Sequence, residues 1–418
     1  MKRPMAGMVS VALPIVLLSG VAFAPNILAT EPDHAAGSAR VMNALIEHRL
    51  DDPRIGDNVS LIVIDGESGE VLSAHAPNRP MRAASNMKIV TAATALATMD
   101  RRTRFTTKVL AGARPGHVIL QGAGDPLLSA ADIAGLASQT AREVGSAGAV
   151  VVHVDGDLFP APSSGPGWTD GYDRYRLAAV QALAIRGDIS EHPSLNAALR
   201  FAAALRSLGL NARVGSNEDA QAGARVLARS SGHTVGQAVH VMLRESESNV
   251  AEVLFRQVAL ASGLEGSWEG GIAAAYQALA ALGVDTTGVS ILDGSGLSRK
   301  DRLTTAFLAA LLRVVRIAQH ERFTAMFAAN AMPIAGVSGT LTTAYGRYDT
   351  WPSRCASGRI QAKTGTLYDV IALSGIAMPD AGPKLIFSMI VNEPPTAYSK
   401  LATRRALDGL AATMVGCW

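Results

Sequence analysis

The chain has 418 residues, 48% hydrophobic and 17% charged, with a net charge of +3. That length and apolar content leave room for two or three domains with large cores and exclude wholesale disorder. The charges are mixed along the chain, so nucleic acid is not an expected partner, and so weak a cationic excess does not by itself establish an anionic polymer as one.

Residues 1–30 differ in kind from the rest. Lys2 and Arg3 precede an apolar run from Met5 to Ala29 broken only by Pro14. This reads as a signal peptide, or as an uncleaved N-terminal anchor, because the run exceeds the roughly 20 residues of a membrane span. Either reading places the remainder outside the cytoplasm, with membrane association only through this segment. Two cysteines, Cys355 and Cys417, allow one disulfide in such a compartment, tying the C-terminus to the stretch before Lys363.

In chain order, Val59–Asp65 predicts a strand and Val71–Ser73 its return across a short turn, a hairpin. Ala83-Ala84-Ser85-Asn86-Met87-Lys88 then reads S-x-x-K at the start of a helix running to Met99. Residues three apart share a helix face, so Ser85 and Lys88 form a workable nucleophile and base. Residues 106–231 predict a mixed block: strands at Thr106–Leu110, His117–Gln121 and Val150–Val154, and helices at 131–144 and 194–208. Helical patterning resumes at Thr234–Leu243 and continues at 250–262, 268–282 and 304–319. Strands follow at Arg359–Thr364, Val370–Met378 and Lys384–Val391, and a helix at 397–415 closes the chain. With the early hairpin these give an antiparallel sheet of about five strands covered by helices, an α+β fold assembled from both ends of the chain. The expected division is a main domain of residues 40–105 and 232–418, with 106–231 inserted as smaller α/β material.

Gln361-Ala362-Lys363-Thr364-Gly365-Thr366-Leu367 places K-T-G at the end of a predicted strand, supplying a cation, hydroxyls and a glycine that lets a substrate backbone lie close. Between the two motifs, Arg244-Glu245-Ser246-Glu247-Ser248-Asn249-Val250-Ala251-Glu252 carries a serine-rich turn between predicted helices. The nine histidines are scattered with no H-E-x-x-H, so no metal and no cofactor are expected. Gly294-Ser295-Gly296 matches only part of G-x-S-x-G and reads as a turn that presents backbone to a cleft. The four tryptophans are isolated in sequence and read mostly as packing residues.

The order S-x-x-K, S-x-N, K-T-G resembles penicillin-binding proteins, more narrowly the class C low-molecular-mass D-alanyl-D-alanine carboxypeptidase/endopeptidases, which also carry a large insert between the first two motifs. Gly122–Pro126, Asp293–Ser298 and Ala335–Leu341 add to the resemblance, which covers roughly residues 40–415. It implies a DD-peptidase/β-lactamase-like fold that hydrolyses peptidoglycan stem peptides through an acyl-enzyme on Ser85, with β-lactams as covalent inhibitors. It implies Lys88 as a base neutral in the resting site, Lys363 as a cation that holds the Lys88 pKa down, and Ser246 as a bridge between the two lysines. Ser248, Asn249, Thr364, Gly365 and Thr366 are implied as substrate contacts. One departure stands out. Aligned on Ala251-Glu252, Ser248 falls where the family has asparagine and Asn249 comes one residue late, unless a bulge restores it. Two other readings stay open: a serine β-lactamase or esterase on the same scaffold, and a catalytically weak peptidoglycan-binding scaffold protein.

Overall fold

The computed structural model describes residues 33–145, 148–161, 163–169, 177, 179–317 and 321–418; the expected leader or anchor, residues 1–30, lies outside them. In chain order they form α1 (Asp33–Leu50), β1 (Val59–Asp65), β2 (Val71–His75), α2 (Met87–Thr98), β3 (Arg104–Phe105), β4 (Lys108–Ala111), β5 (His117–Gln121), α3 (Ala130–Val144) and β6 (Ala149–Asp155). There follow α4 (Pro193–Ser207), β7 (Asn211–Val214), β8 (Val226–Arg229), β9 (His233–Thr234), α5 (Val235–Glu245), α6 (Ser248–Ala261), α7 (Trp268–Ala281) and α8 (Thr305–Ile317). The chain ends in β10 (Ile360–Thr366), β11 (Val370–Ala377), β12 (Leu385–Asn392) and α9 (Lys400–Thr413).

The central sheet has the order β10-β11-β12-β1-β2, antiparallel throughout, as expected. Its inner strands are mainly apolar because both faces are covered, and the buried hydroxyls of Ser374 and Ser388 satisfy each other at 2.8 Å. Successive side chains point to opposite faces. Ile62, Ile64, Ile386 and Ile390 meet α2 and α5–α8 on one side. Leu61, Val63, Phe387 and Met389 meet Met42 and Ile46 of α1 and Leu407 and Leu410 of α9 on the other. Cys355 and Cys417 form the expected disulfide, 62 residues apart in sequence, closing the chain end onto the turn before β10. A loop of that length gives a cross-link worth about 4 kcal/mol in the chain-entropy account. Reducing it is therefore expected to lower Tm by several degrees; an unchanged Tm with both thiols titratable would show that α9 and its packing hold the end unaided.

A second sheet, β7-β6-β5-β4-β8, is built from residues between α2 and α5. Its parallel pairs β5–β6 and β6–β7 span crossovers containing α3 and α4, and their Val and Leu residues bury against Leu136 and Phe201. The short strands β7 and β8 are additions to the sequence reading. The chain enters and leaves this region through the two-stranded ribbon β3–β9, where Phe105 pairs with His233. Among the scattered histidines two meet here: His117 Nδ1 and His153 Nε2 lie 2.8 Å apart with ring planes 15° from parallel, and Glu218 is beside them. The rings face each other head-on as a hydrogen bond. Two tetrahedral zinc ligands at ~2.05 Å would sit roughly 3.3 Å apart, so the pair as placed is structural.

Candidate active site

Ser85 lies in a 3-10 turn, Ala84–Asn86, that runs directly into α2, so Lys88 sits in the first turn of the helix on the same face. Lys88 Nζ donates to Ser85 Oγ at 2.9 Å, to Ser248 Oγ at 3.3 Å and to the Ser295 carbonyl at 2.9 Å. The Asp293–Ser298 turn therefore presents backbone to the cleft, as expected. Asp293 ties that turn together by accepting from the N–H groups of Gly296 and Ser298 at 2.7 Å each. Glu252, buried on α6, accepts from Gly294 N and Ser295 N at 2.9 and 2.8 Å. Trp168 donates to Asp293 at 2.8 Å and meets Trp268 edge-on at 5.2 Å, so these two are not isolated packing residues. Trp351 and Trp418 are exposed.

α5 ends on Ser246, whose φ of 61° is left-handed, and α6 starts at Ser248. Lys363 on β10 donates to Ser246 Oγ at 2.9 Å and to the Thr364 carbonyl at 2.9 Å. The bridge expected of Ser246 alone is thus divided: Ser246 serves Lys363, and Ser248 serves Lys88. Ser248, not Asn249, lines the cleft. Asn249 lines a separate pocket with Asp125, Pro126 and Val253, because one step along a helix turns a side chain by about 100° and no bulge returns it. Arg186, from the second-sheet region, grips this segment through Glu245 and Glu247 at 2.6 Å each. Gln257 of α6 holds the Gly122–Pro126 turn through the Ala123 and Gly124 carbonyls.

The cleft, about 340 Å³, is lined by Ser85, Ser246, Ser248, Thr364 and Thr366, with Leu297 and Leu367 as apolar walls. Gly365 does not serve it in the way the motif suggested. A Cβ there would lie 2.7 Å from the Ala83 carbonyl and 2.8 Å from the Asn86 amide, so this glycine lets β10 close on the Ser85 turn. Gly296 does the same from the other side. Its φ is +81°, and a Cβ would meet the Ala84 carbonyl at 2.0 Å. Gly296→Ala is expected to push that turn aside and slow acylation of Ser85 by ~100-fold, the scale of a 1 Å misplacement. An unchanged acylation rate would show that the turn is not set by this contact.

Both ammonium groups are fully buried. Burial brings Lys88 from 10.5 down to about 8, with Glu252 and Asp293 pulling the other way. Lys363 is driven well below its ordinary value, first by burial and then by the Lys88 charge. The main origin of the low Lys88 value is therefore desolvation, and the Lys363 field expected to hold it down is not among its causes. Glu252 is raised to about 8 by burial and by Asp293. Glu245, Thr340, Tyr345, Arg347 and Arg404 complete the lining; Tyr345, Arg347 and Arg404 were not singled out from the sequence. Thr340 Oγ1 lies 2.7 Å from Thr364 Oγ1.

A serine at a helix start, bonded to a buried lysine and set between an antiparallel sheet and a helical layer, defines a serine hydrolase of the Ser–Lys kind. Comparison with known proteins is specific. Residues 42–192 and 188–414 match the D-Ala-D-Ala carboxypeptidase 3 (S13) family. Carboxypeptidase DacB of Mycolicibacterium smegmatis is 32% identical over 94% of this chain and 88% of its own length. Carboxypeptidase Rv3627c of Mycobacterium tuberculosis is 32% identical over 92% and 85%. The crystal structure of penicillin binding protein 4 (dacB) from Haemophilus influenzae shares the fold, with a TM-score of 0.71 at 18% identity over 87% of this chain and 98% of that one. The chain belongs to the S13 family of serine-type D-Ala-D-Ala carboxypeptidases.

Proposed function

We propose that the protein is a serine D-alanyl-D-alanine carboxypeptidase acting on peptidoglycan stem peptides, with endopeptidase action where the leaving amine belongs to a cross-link. The observation that carries this is the 2.9 Å contact between Lys88 Nζ and Ser85 Oγ, beside a Ser246 hydroxyl that buried Lys363 holds at 2.9 Å. Deprotonated Lys88 takes the Ser85 proton as Oγ attacks the carbonyl of the penultimate D-alanine. The backbone N–H groups of Ser85 and Thr366 hold the oxyanion. The carbonyl–nitrogen bond breaks, and the proton returns through Lys88 and the Ser246–Lys363 pair to the leaving amine. Water then attacks the ester and restores Ser85. Thr364, Thr366 and Ser248 contact the substrate. A β-lactam acylates Ser85 and stays, because its leaving group remains tethered.

Residues 106–231 act as an inserted module that holds the Ser246–Ser248 segment through Arg186. The leader places the enzyme in the extracytoplasmic space, against the wall or anchored through residues 1–30. The test is D-alanine release from a peptide ending in D-Ala-D-Ala. Steady release supports the reading, whereas rapid turnover of penicillin without D-alanine release would favour a β-lactamase.

A further inference from the structure

Three buried carboxyl groups stand behind the turn that Lys88 touches, and two of them are satisfied. Glu252 accepts from the N–H groups of Gly294 and Ser295. Asp293 accepts from Gly296, Ser298 and the Trp168 indole. The third, Asp301, is 2% exposed. Its Oδ1 accepts from Leu292 N at 2.8 Å, whereas its Oδ2 is buried with no donor. The adjacent cation, Arg302, turns its Nη1 to the main-chain carbonyls of Arg299 and Asp301, at 2.9 and 2.7 Å, rather than to the carboxyl. The Asp293 carboxyl lies within hydrogen-bond reach of Asp301, and Glu252 is the next acid out.

Two carboxylates so close in a dry site do not both ionise, and an ionised carboxylate with one bare oxygen is costly there. A proton on Asp301 removes both difficulties. The orphaned oxygen becomes a donor, and the acceptor it faces is Asp293. Burial first, then Asp293, drives the Asp301 carboxyl well above its ordinary range, and the Leu292 N–H pulls the other way. The consequence reaches the site through Asp293. Its partners Gly296 and Ser298 follow Ser295, whose carbonyl accepts from Lys88 at 2.9 Å, so whatever fixes the Asp293 side chain also fixes that carbonyl.

Building on the reading of Lys88 as the base, we infer that Asp301 is a positioning residue: a neutral carboxylic acid that donates to Asp293 and so holds the turn against Lys88. Its proton has a second effect. An ionised Asp301 would add another negative charge to the surroundings of Lys88, favour the ammonium form and move catalysis to higher pH. The site thus gains a tightly held turn without a further anion beside its base.

The experiment combines infrared difference spectroscopy with the rate of Ser85 acylation by penicillin against pH. Asn keeps a donor and an acceptor and is neutral, so Asp301→Asn should acylate at the wild-type rate with its pH rise unmoved. Wild-type minus Asp301→Asn spectra at pH 7 should show one protonated-carboxyl C=O band, shifted in heavy water. Asp301→Leu, of similar size without either hydrogen bond, should acylate roughly 10-fold more slowly, the scale of one hydrogen bond to a charged group. Should Asp301→Leu fail to fold, the band and the pH profile of Asp301→Asn carry the test. Absence of the band, or a pH rise displaced downward in Asp301→Asn, would show an ionised Asp301 and overturn the inference while leaving the acyl-enzyme intact. A wild type that penicillin does not acylate overturns the acyl-enzyme reading instead, and the infrared band still decides where the proton lies.

Discussion

Ser85→Ala is expected to abolish covalent labelling by penicillin and to lower D-alanine release by at least ~10⁴-fold, since loss of a nucleophile removes the whole covalent route. The effect should be chemical rather than structural. The Ser85 side chain is only partly buried, and the turn carrying it is fixed by contacts of its neighbours: Gly296 against the Ala84 carbonyl and Gly365 against the Ala83 carbonyl and the Asn86 side chain. The folded protein should therefore keep its Tm within about a degree, because a single exposed-side hydroxyl contributes little. A Ser85→Ala protein that still binds penicillin covalently would remove Ser85 from the mechanism.

The second large effect concerns proton transfer. Lys88→Met keeps the length of the side chain and removes the base, and is expected to slow acylation by about 10³-fold, within the usual range for general base catalysis. The wild-type pH profile carries the same information with a definite sign. Lys88 works when neutral, and its value of about 8 means the neutral fraction grows as pH rises. Acylation kcat/KM should climb about tenfold per pH unit below that point and level off above it. Asp293 and Glu252 favour the ammonium form, so Glu252→Gln should move the rise to lower pH. A profile that is flat from pH 6 to 9, with acylation rather than binding rate-limiting, would show that Lys88 does not take the Ser85 proton.

Much of this was legible in the sequence because its signals are local. The inner strands β1, β11 and β12 show as mainly apolar runs, since both faces are covered, and S-x-x-K and K-T-G announce themselves by spacing. What stayed hidden depends on partners far apart in the chain. Whether Ser248 or Asn249 faces the cleft turns on helical phase, which α6 sets by starting at Ser248. Gly365 reads as a substrate-facing glycine until the turn of Ala83 is seen against it. The low Lys88 pKa comes from burial by α6 and the Asp293 turn rather than from the second lysine, a distinction that only packing reveals. Arg347 and Arg404 lie outside every motif, and the Arg347–Asp408 pair appears only when the 3-10 turns before β10 settle against α9. Strands β7 and β8, four residues each, are too short for periodicity to mark them.

The most direct test of the central claim is to locate the penicillin adduct by mass spectrometry after trypsin digestion. Cleavage after Arg82 and after Lys88 isolates Ala83–Lys88, in which Ser85 carries the sole hydroxyl. The expected result is the full mass of penicillin added to that peptide, on Ser85. An adduct on any other peptide, or none on a protein that nonetheless releases D-alanine, would contradict the account.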